Sequence, residues 1–410
     1  MIERIKNKFD LLFSMHYKIE RFGVMMFSLA ALLALLCGVV LHHNHEQQKI
    51  ILGNQVMYTT QLQFSMSGNT GTVENVYMST DRTQAFVLVK WDDLTKLVTD
   101  VNEYEVFICG SDSNGNYAQL QCHPSVGIYS FGASGYMGFY LVDGNGFPPQ
   151  IINMTVRCNR RIGPVREDMP VYPDTSFNKF DQVKIYFNPG GSEGTTGAFL
   201  DENRMGIHDV IEGTIIDGKE QALRTSLDDD LTQMKDLLAQ IDEYSSRLRA
   251  QGVIVPDAPI QIRGDKVVED EQGNLTLESD YVLAGGYTYD WRGGNIQKGY
   301  LEDVIPERMR PLTYIQNMAN EAKQELVSVA GLTWYDTNGN VVNMNNPQNL
   351  QSVAAITSNI NSLTTAWQEY FELKKTYQTV HMADLLILEL QVQDMTSNYG
   401  IKTDTTTTLY

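Results

Sequence analysis

Gly190-Gly191-Ser192-Glu193-Gly194 spells G-x-S-x-G. In α/β-hydrolases this pattern sets a serine nucleophile on a sharp turn between a strand and a helix. Gln182–Phe187 before it reads as a strand, but the following TTGAFLDENRMG has no helical period. His208 lies downstream and no Asp is placed to complete a triad. DSNGN, DEQGN and DTNGN begin at Asp112, Asp270 and Asp336 and resemble calcium loops. An EF-hand loop needs Gly at its sixth position and Glu at its twelfth, whereas here the Gly comes fourth. Each lies between two strand-like runs, so all three read as hairpin turns. His42, His43 and His45 cluster without Cys or carboxylate partners at ligand-like spacing and read as a polar collar. There is no P-loop, C-x-x-C or H-E-x-x-H, and no carboxylate pair is singled out for glycoside hydrolysis. Trp91, Tyr117, Tyr129 and Tyr136 have the chemistry to stack on sugars, but strand packing accounts for them better. No metal, cofactor or enzymatic activity is expected.

Cys109 and Cys122 flank DSNGN almost symmetrically. That placement predicts a cross-strand disulfide in an oxidising compartment, with Cys158 left over. Cys37 falls elsewhere, inside the most apolar stretch of the chain.

That stretch, Gly23 to Leu41, is nineteen residues without a charge. With Phe22 it makes about 30 Å of helix, the thickness of a hydrocarbon core. It is longer than the ~7–15 residues of a signal-peptide core, and no A-x-A site follows. An uncleaved transmembrane helix over 22–42 is expected, with the lipid bilayer as its first partner. Arg4, Lys6, Lys8, Lys18 and Arg21 precede it, while His42 to Gln48 holds no Lys or Arg. The positive-inside rule makes 1–21 a cytoplasmic tail and places the remainder outside. Ile2, Ile5, Phe9, Leu12 and Phe13 form an apolar stripe in that tail, suited to the inner leaflet or to a longer membrane helix. Net charge is −19, from 31 Lys and Arg against 50 Asp and Glu. Nucleic acid is therefore excluded as a generic partner, since phosphate contacts need clustered basic residues.

The fold class expected beyond the membrane is α+β. Residues 55–190 alternate with period two in nine short runs, which predicts a β-sandwich. A Gly-rich linker follows over 191–215. Over 216–252 the period becomes helical, with Ser226 as a candidate cap. Leu227, Leu231, Met234, Leu238, Ile241 and Leu248 form a seam for either a coiled coil or an intramolecular bundle. Residues 253–305 hold a hairpin, Val267 to Leu277, and a Gly- and Tyr-rich stretch around Trp291. Residues 306–395 read as a helical hairpin with a β-tip, its second helix about 48 residues and roughly 70 Å long. Residues 396–410 read as a disordered tail.

The expected function is that of a single-pass, membrane-anchored structural or interaction protein, a subunit of a cell-envelope or surface assembly with homo- or hetero-oligomeric partners. A tethered surface binding module, an adhesin or glycan receptor, is the alternative. An envelope hydrolase ranks third.

Overall fold

The computed structural model describes residues 18–112, 115–173, 176–293, 296, 299–329, 331–342, 350–403 and 406–408. Arg4, Lys6, Lys8 and the apolar stripe of the tail lie outside these residues. Lys18 and Arg21 belong to the first helix, Lys18–Asn54. Within it, Met25–His43 is long and apolar enough to cross a membrane, and none of it is buried by the rest of the chain. The chain divides into two compact units, one of Met1–Ser130, Gly135–Asp201 and Ile401–Tyr410, the other of Phe131–Ser134 and Glu202–Gly400.

In the first unit two sheets form. One has the order β1 (Gln61–Gln63), β2 (Thr70–Met78), β3 (Gln84–Trp91), β7 (Tyr136–Val142), β6 (Ser125–Phe131) and β15 (Tyr399–Lys402), with β10 (Thr195–Thr196) beside β2. The other has the order β16 (Thr406–Thr408), β4 (Tyr104–Ser111), β8 (Ile151–Cys158) and β9 (Asp181–Phe187), with β5 (Tyr117–Ala118) beside β4. The pairs whose register is resolved are antiparallel, except β10 with β2 and β16 with β4. Alternate residues of both sheets enter one core, among them Val87, Val89 and Trp91 of β3, Val106 and Ile108 of β4, and Met154 and Val156 of β8. β3 is also covered on its other face, where Phe86 meets Tyr129 and Phe199 edge-on at 5.6 and 5.9 Å. Double-sided burial explains why QAFVLVKW is a nearly continuous apolar run rather than an alternating one.

The cysteines correct one expectation. All four are free thiols. On β4 the residues Tyr104, Val106 and Ile108 enter the core, so Cys109 is carried to the opposite face, where its thiol meets Asn153 O at 3.8 Å. Cys122 is buried within the core. The hairpin pairs only at Gly110–Ala118 and Ser111–Tyr117, after which the chain leaves the ladder before reaching Cys122. The two sulfurs therefore lie on opposite sides of a sheet that separates them. Burial pushes the thiol of Cys122 up to about 12 and that of Cys158 up to about 11.

The Asp-x-x-Gly-Asn turns share one geometry. In the turn at Asp270, Oδ1 accepts from Gln272 N and Asn274 N at 2.9 and 2.8 Å, and Oδ2 accepts from Asn274 Nδ2 at 2.9 Å. Asp336 repeats this with Asn338 and Asn340, and Asp112 bonds Asn116 in the same way. Gly115, Gly273 and Gly339 stand at φ +81°, +87° and +83°, where a side chain is strained. Each carboxylate is thus engaged by its own turn.

Residues 188–197, which include the start of the expected 191–215 linker, are bonded into the β-unit, and the division between the two units falls later, after Asp201. Glu193 N donates to Asn54 O at 3.0 Å, Ser192 Oγ donates to Asn54 Oδ1 at 2.9 Å, and Asn188 N donates to Val56 O at 2.7 Å. Arg82 Nη1 donates to the carbonyls of Gly190 and Gly191. These bonds cap the open carbonyl end of the first helix and tie it to the β-unit. A Cβ on Gly190 would strike the backbone of Pro148 and Pro149. Gly190→Ala is accordingly expected to destabilise the β-unit by about 1–3 kcal/mol, read as a lower urea midpoint; an unchanged midpoint would show that the loop yields freely.

The second unit is built on two long helices. Ile207–Ile211, a π-turn at Glu212–Ile216 and Asp217–Ala250 run on without a break. Helix formation therefore starts earlier than Ser226, whose hydroxyl instead donates to Ala222 O at 3.0 Å within the helix. No proline interrupts the preceding residues, and Glu220, Gln221, Ala222 and Leu223 are good helix formers. Gly252 at φ +77° ends the helix, with Arg247 and Arg249 in its last turn. The second long helix comprises Leu350–Thr376, a π-turn at Tyr377–His381, and Met382–Ser397. Its partner is the 217–250 helix, so the expected 306–395 hairpin is replaced by a pairing distant in sequence. Only Pro311–Ala322 is helical in the earlier segment, starting with its proline in the first turn. Leu227, Leu231, Met234 and Leu248 are fully buried, and Leu238 and Ile241 half-buried. The helix packed along this seam belongs to the same chain. The short β14 (Tyr335–Asp336) pairs with β11 (Val253–Ile254), and β12 (Lys266–Glu269) with β13 (Leu275–Glu278).

The expected disordered tail instead supplies β15 and β16. Tyr, Ile and Thr favour extended backbone, and sheet edges offer unpaired donors and acceptors.

Candidate binding cleft

A cleft lies wholly within the helical unit, between the β12–β13 hairpin, the segment 287–293 and the π-turn at Tyr377–His381. Its volume is about 690 Å³, within the range of small-molecule sites. The π-turn positions one wall, a device that recurs at binding sites. Gln378 receives Tyr287 N on its backbone carbonyl at 3.0 Å and Leu283 N on its side-chain oxygen at 3.2 Å. The Gly- and Tyr-rich segment is thereby fixed against the helix.

Trp291 is the best-held residue of the cleft. Its Nε1 donates to Tyr377 Oη at 3.0 Å. Its carbonyl accepts from Arg224 Nη1 and from Tyr300 Oη, the latter at 2.9 Å. The Arg292 guanidinium lies 4.1 Å from the centre of its ring, pairs with Asp228 and donates to Leu275 O at 3.0 Å. Arg224 is itself held by Glu220 at 2.6 Å. Tyr289 Oη donates to Met382 O at 2.7 Å. Asp290 accepts from the backbone N–H groups of Arg292 and Gly293 at 3.1 and 3.0 Å. The rings of Trp291, Tyr287 and Tyr377 are themselves buried, so the cleft offers the half-buried Tyr289 and Arg292 with the exposed Thr288 and Asp290 beside them, groups suited to hydrogen bonding.

Proton transfer has less support. Burial pushes the phenol of Tyr287 up to about 12 and raises those of Tyr289 and Tyr377 as well, so all three stay protonated at neutral pH. Ser279, on the cleft wall, lies 2.8 Å from Lys374 Nζ, and a serine beside a lysine is one form of nucleophile and base. Here the ammonium is fully buried and paired with Asp265 at 2.8 Å, and it also donates to Gln261 O and Tyr281 O at 2.6 and 2.8 Å. Ser279 Oγ lies 2.5 Å from Asp265 Oδ1, and Tyr370 Oη donates to Asp265 Oδ2 at 3.0 Å. Burial lowers the lysine's proton affinity while Asp265 supports the charged form. The cluster clamps the 261–281 segment to the long helix.

A second clamp holds the residues that follow the cleft. Glu389, 2% exposed, accepts from Tyr300 N and Leu301 N at 2.6 and 2.9 Å. Burial raises its carboxyl above the usual 4.5, and the two N–H groups oppose that rise. A raised carboxyl binds its proton more tightly folded than unfolded, so this part of the stability falls as pH rises from 4.5 through the folded value. Glu389→Gln keeps an acceptor and should flatten that part of the pH profile in urea melts taken upward from about pH 4.5. An unchanged profile would assign the dependence to other carboxyls.

The residues singled out from the sequence do not converge. Ser192 Oγ is bonded to Asn54 in the β-unit, so the G-x-S-x-G loop serves as a helix cap there. Cys109 and Cys122 are separated, and the seam leucines face the partner helix. His42 and His43 are exposed on the first helix. Among the described residues no three His, Cys, Asp or Glu side chains group as metal ligands. Comparison with known families, with curated proteins and with solved structures gives no match to this chain.

Proposed function

We propose that this chain is a single-pass, membrane-anchored interaction protein, a subunit of a cell-envelope or surface assembly. Its N-terminus is cytoplasmic, and a β-sandwich and a helical unit stand outside. The observation that carries this reading is the uncovered apolar helix Met25–His43, whose continuation is capped by the β-unit at Asn54. Leu35 at 69% and Phe27 at 78% exposed would be costly in water, whereas a bilayer covers them. The basic residues before the span and their absence just after it support the orientation. The helix runs on beyond the span to Asn54 and is bonded there to the β-unit, which supports a retained anchor over a removed signal sequence.

The aromatic cleft favours a second reading on the same anchor, a tethered binding module. Both readings require the anchor to be retained. In cells expressing the full chain, the protein is expected at full length in the membrane pellet after alkaline carbonate extraction. Deleting residues 1–45 should release it. Recovery of the intact chain in the soluble fraction, or of a form shortened by the first helix, would contradict the anchor.

A further inference from the structure

The two long helices of the second unit leave a furrow between them, of about 590 Å³, lined on both sides by the same pattern. Gln233, Asp236, Leu237 and Gln240 stand at i, i+3, i+4 and i+7 on the 217–250 helix. Glu369, Glu372, Leu373 and Thr376 stand at the same intervals on the 350–376 helix. Each helix thus turns one stripe into the furrow. Leu237 and Leu373 are half-buried, while Asp236, Glu369 and Glu372 are exposed. Among the described residues, none of the ion pairs includes these three carboxylates. Glu369 and Glu372 repel each other one turn apart. Of the cations close in sequence, Lys374 pairs with Asp265, Lys235 with Glu269, and Lys375 donates to Glu325 O at 3.1 Å.

We infer that this furrow receives a basic amphipathic helix of a partner protein. A third helix laid along two packed helices completes a three-helix bundle, its apolar stripe reaching Leu237 and Leu373. Lys or Arg flanking that stripe meets the three carboxylates, as charges beside a coiled-coil seam select a partner. Anionic lipid and nucleic acid are repelled by the same carboxylates. The inference deepens the interaction role proposed above and rests on it for biological context, but its test does not depend on the anchor's orientation.

The full chain in phosphatidylcholine nanodiscs is titrated with a fluorescent 18-residue Leu/Lys amphipathic peptide, with empty discs as the blank. A scrambled Leu/Lys peptide and a Leu/Glu peptide serve as controls. Saturable binding is expected for the Leu/Lys peptide, weakened at least tenfold in the Glu369→Lys/Glu372→Lys variant and in Leu237→Gln. The charge-reversed variant should gain binding of the Leu/Glu peptide. These positions are exposed or half-buried, and unchanged thermal melts verify the fold of each variant. Absence of binding, equal binding of the scrambled peptide, or insensitivity to the substitutions would overturn the inference. Light scattering of the loaded discs addresses the remaining occupant: a dimer abolished by the same substitutions would assign the furrow to a second copy and likewise overturn it. Carbonate extraction fails or succeeds independently of all these outcomes.

Discussion

Lys374→Met is expected to destabilise the helical unit by about 3–5 kcal/mol, because it leaves the buried Asp265 carboxylate without its countercharge. Both partners of this pair are fully buried at the side chain, and four acceptors surround the ammonium. The carbonyls of Gln261 and Tyr281 would lose their donor as well, which adds to the loss. Replacing both ions, Lys374→Met with Asp265→Leu, should recover part of it, since one unpaired buried charge costs more than none. Recovery stays partial because Tyr370 Oη and Ser279 Oγ also bond to Asp265. Urea melts of the three variants read this directly. A single-variant loss below about 1 kcal/mol would mean that water or relaxation reaches the site, as at exposed ion pairs.

Leu231→Ala is expected to cost the same unit about 2–5 kcal/mol, whereas Leu238→Ala should cost clearly less. Leu231 is fully buried against the long C-terminal helix, and Leu238 is only half-buried. If the seam works within one chain, both losses appear at every protein concentration. A loss that grows on dilution would instead show that the seam is shared between copies, as in a coiled coil.

The sequence was legible where one physical rule governs a segment. β3, β7 and β8 fall among the nine short runs expected over 55–190, because stretches rich in aromatic and β-branched residues are bounded there by Gly, Asn and Asp. The long C-terminal helix was legible from its apolar spacing, as was the membrane-length helix from its missing charges. Partner choice was not. The seam leucines announce that something packs on them, but spacing does not separate a second copy from a helix more than a hundred residues away. Cys109 and Cys122 are equidistant from a turn, yet pairing also requires a shared face, and β5 ends too soon to provide it. The tail reads as polar threonines until the sheet edges that accept it are known. The cleft left only a faint trace, the Gly- and Tyr-rich stretch around Trp291. Its support comes from Arg224 and Tyr377, each far from Trp291 in sequence.

The most direct test of the proposed function is accessibility from outside intact cells. Gln272, exposed at the tip of the β12–β13 hairpin, is replaced by cysteine in one variant, and Ser14 in another. Cys109, Cys122 and Cys158 provide a quiet background, being buried with raised thiols, and Cys37 falls within the apolar helix Met25–His43, where the proposed bilayer would cover it. With a membrane-impermeant maleimide, Gln272→Cys should label in intact cells and Ser14→Cys only after permeabilisation. Labelling of Ser14→Cys in intact cells, with Gln272→Cys protected, would contradict both the orientation and the extracytoplasmic role.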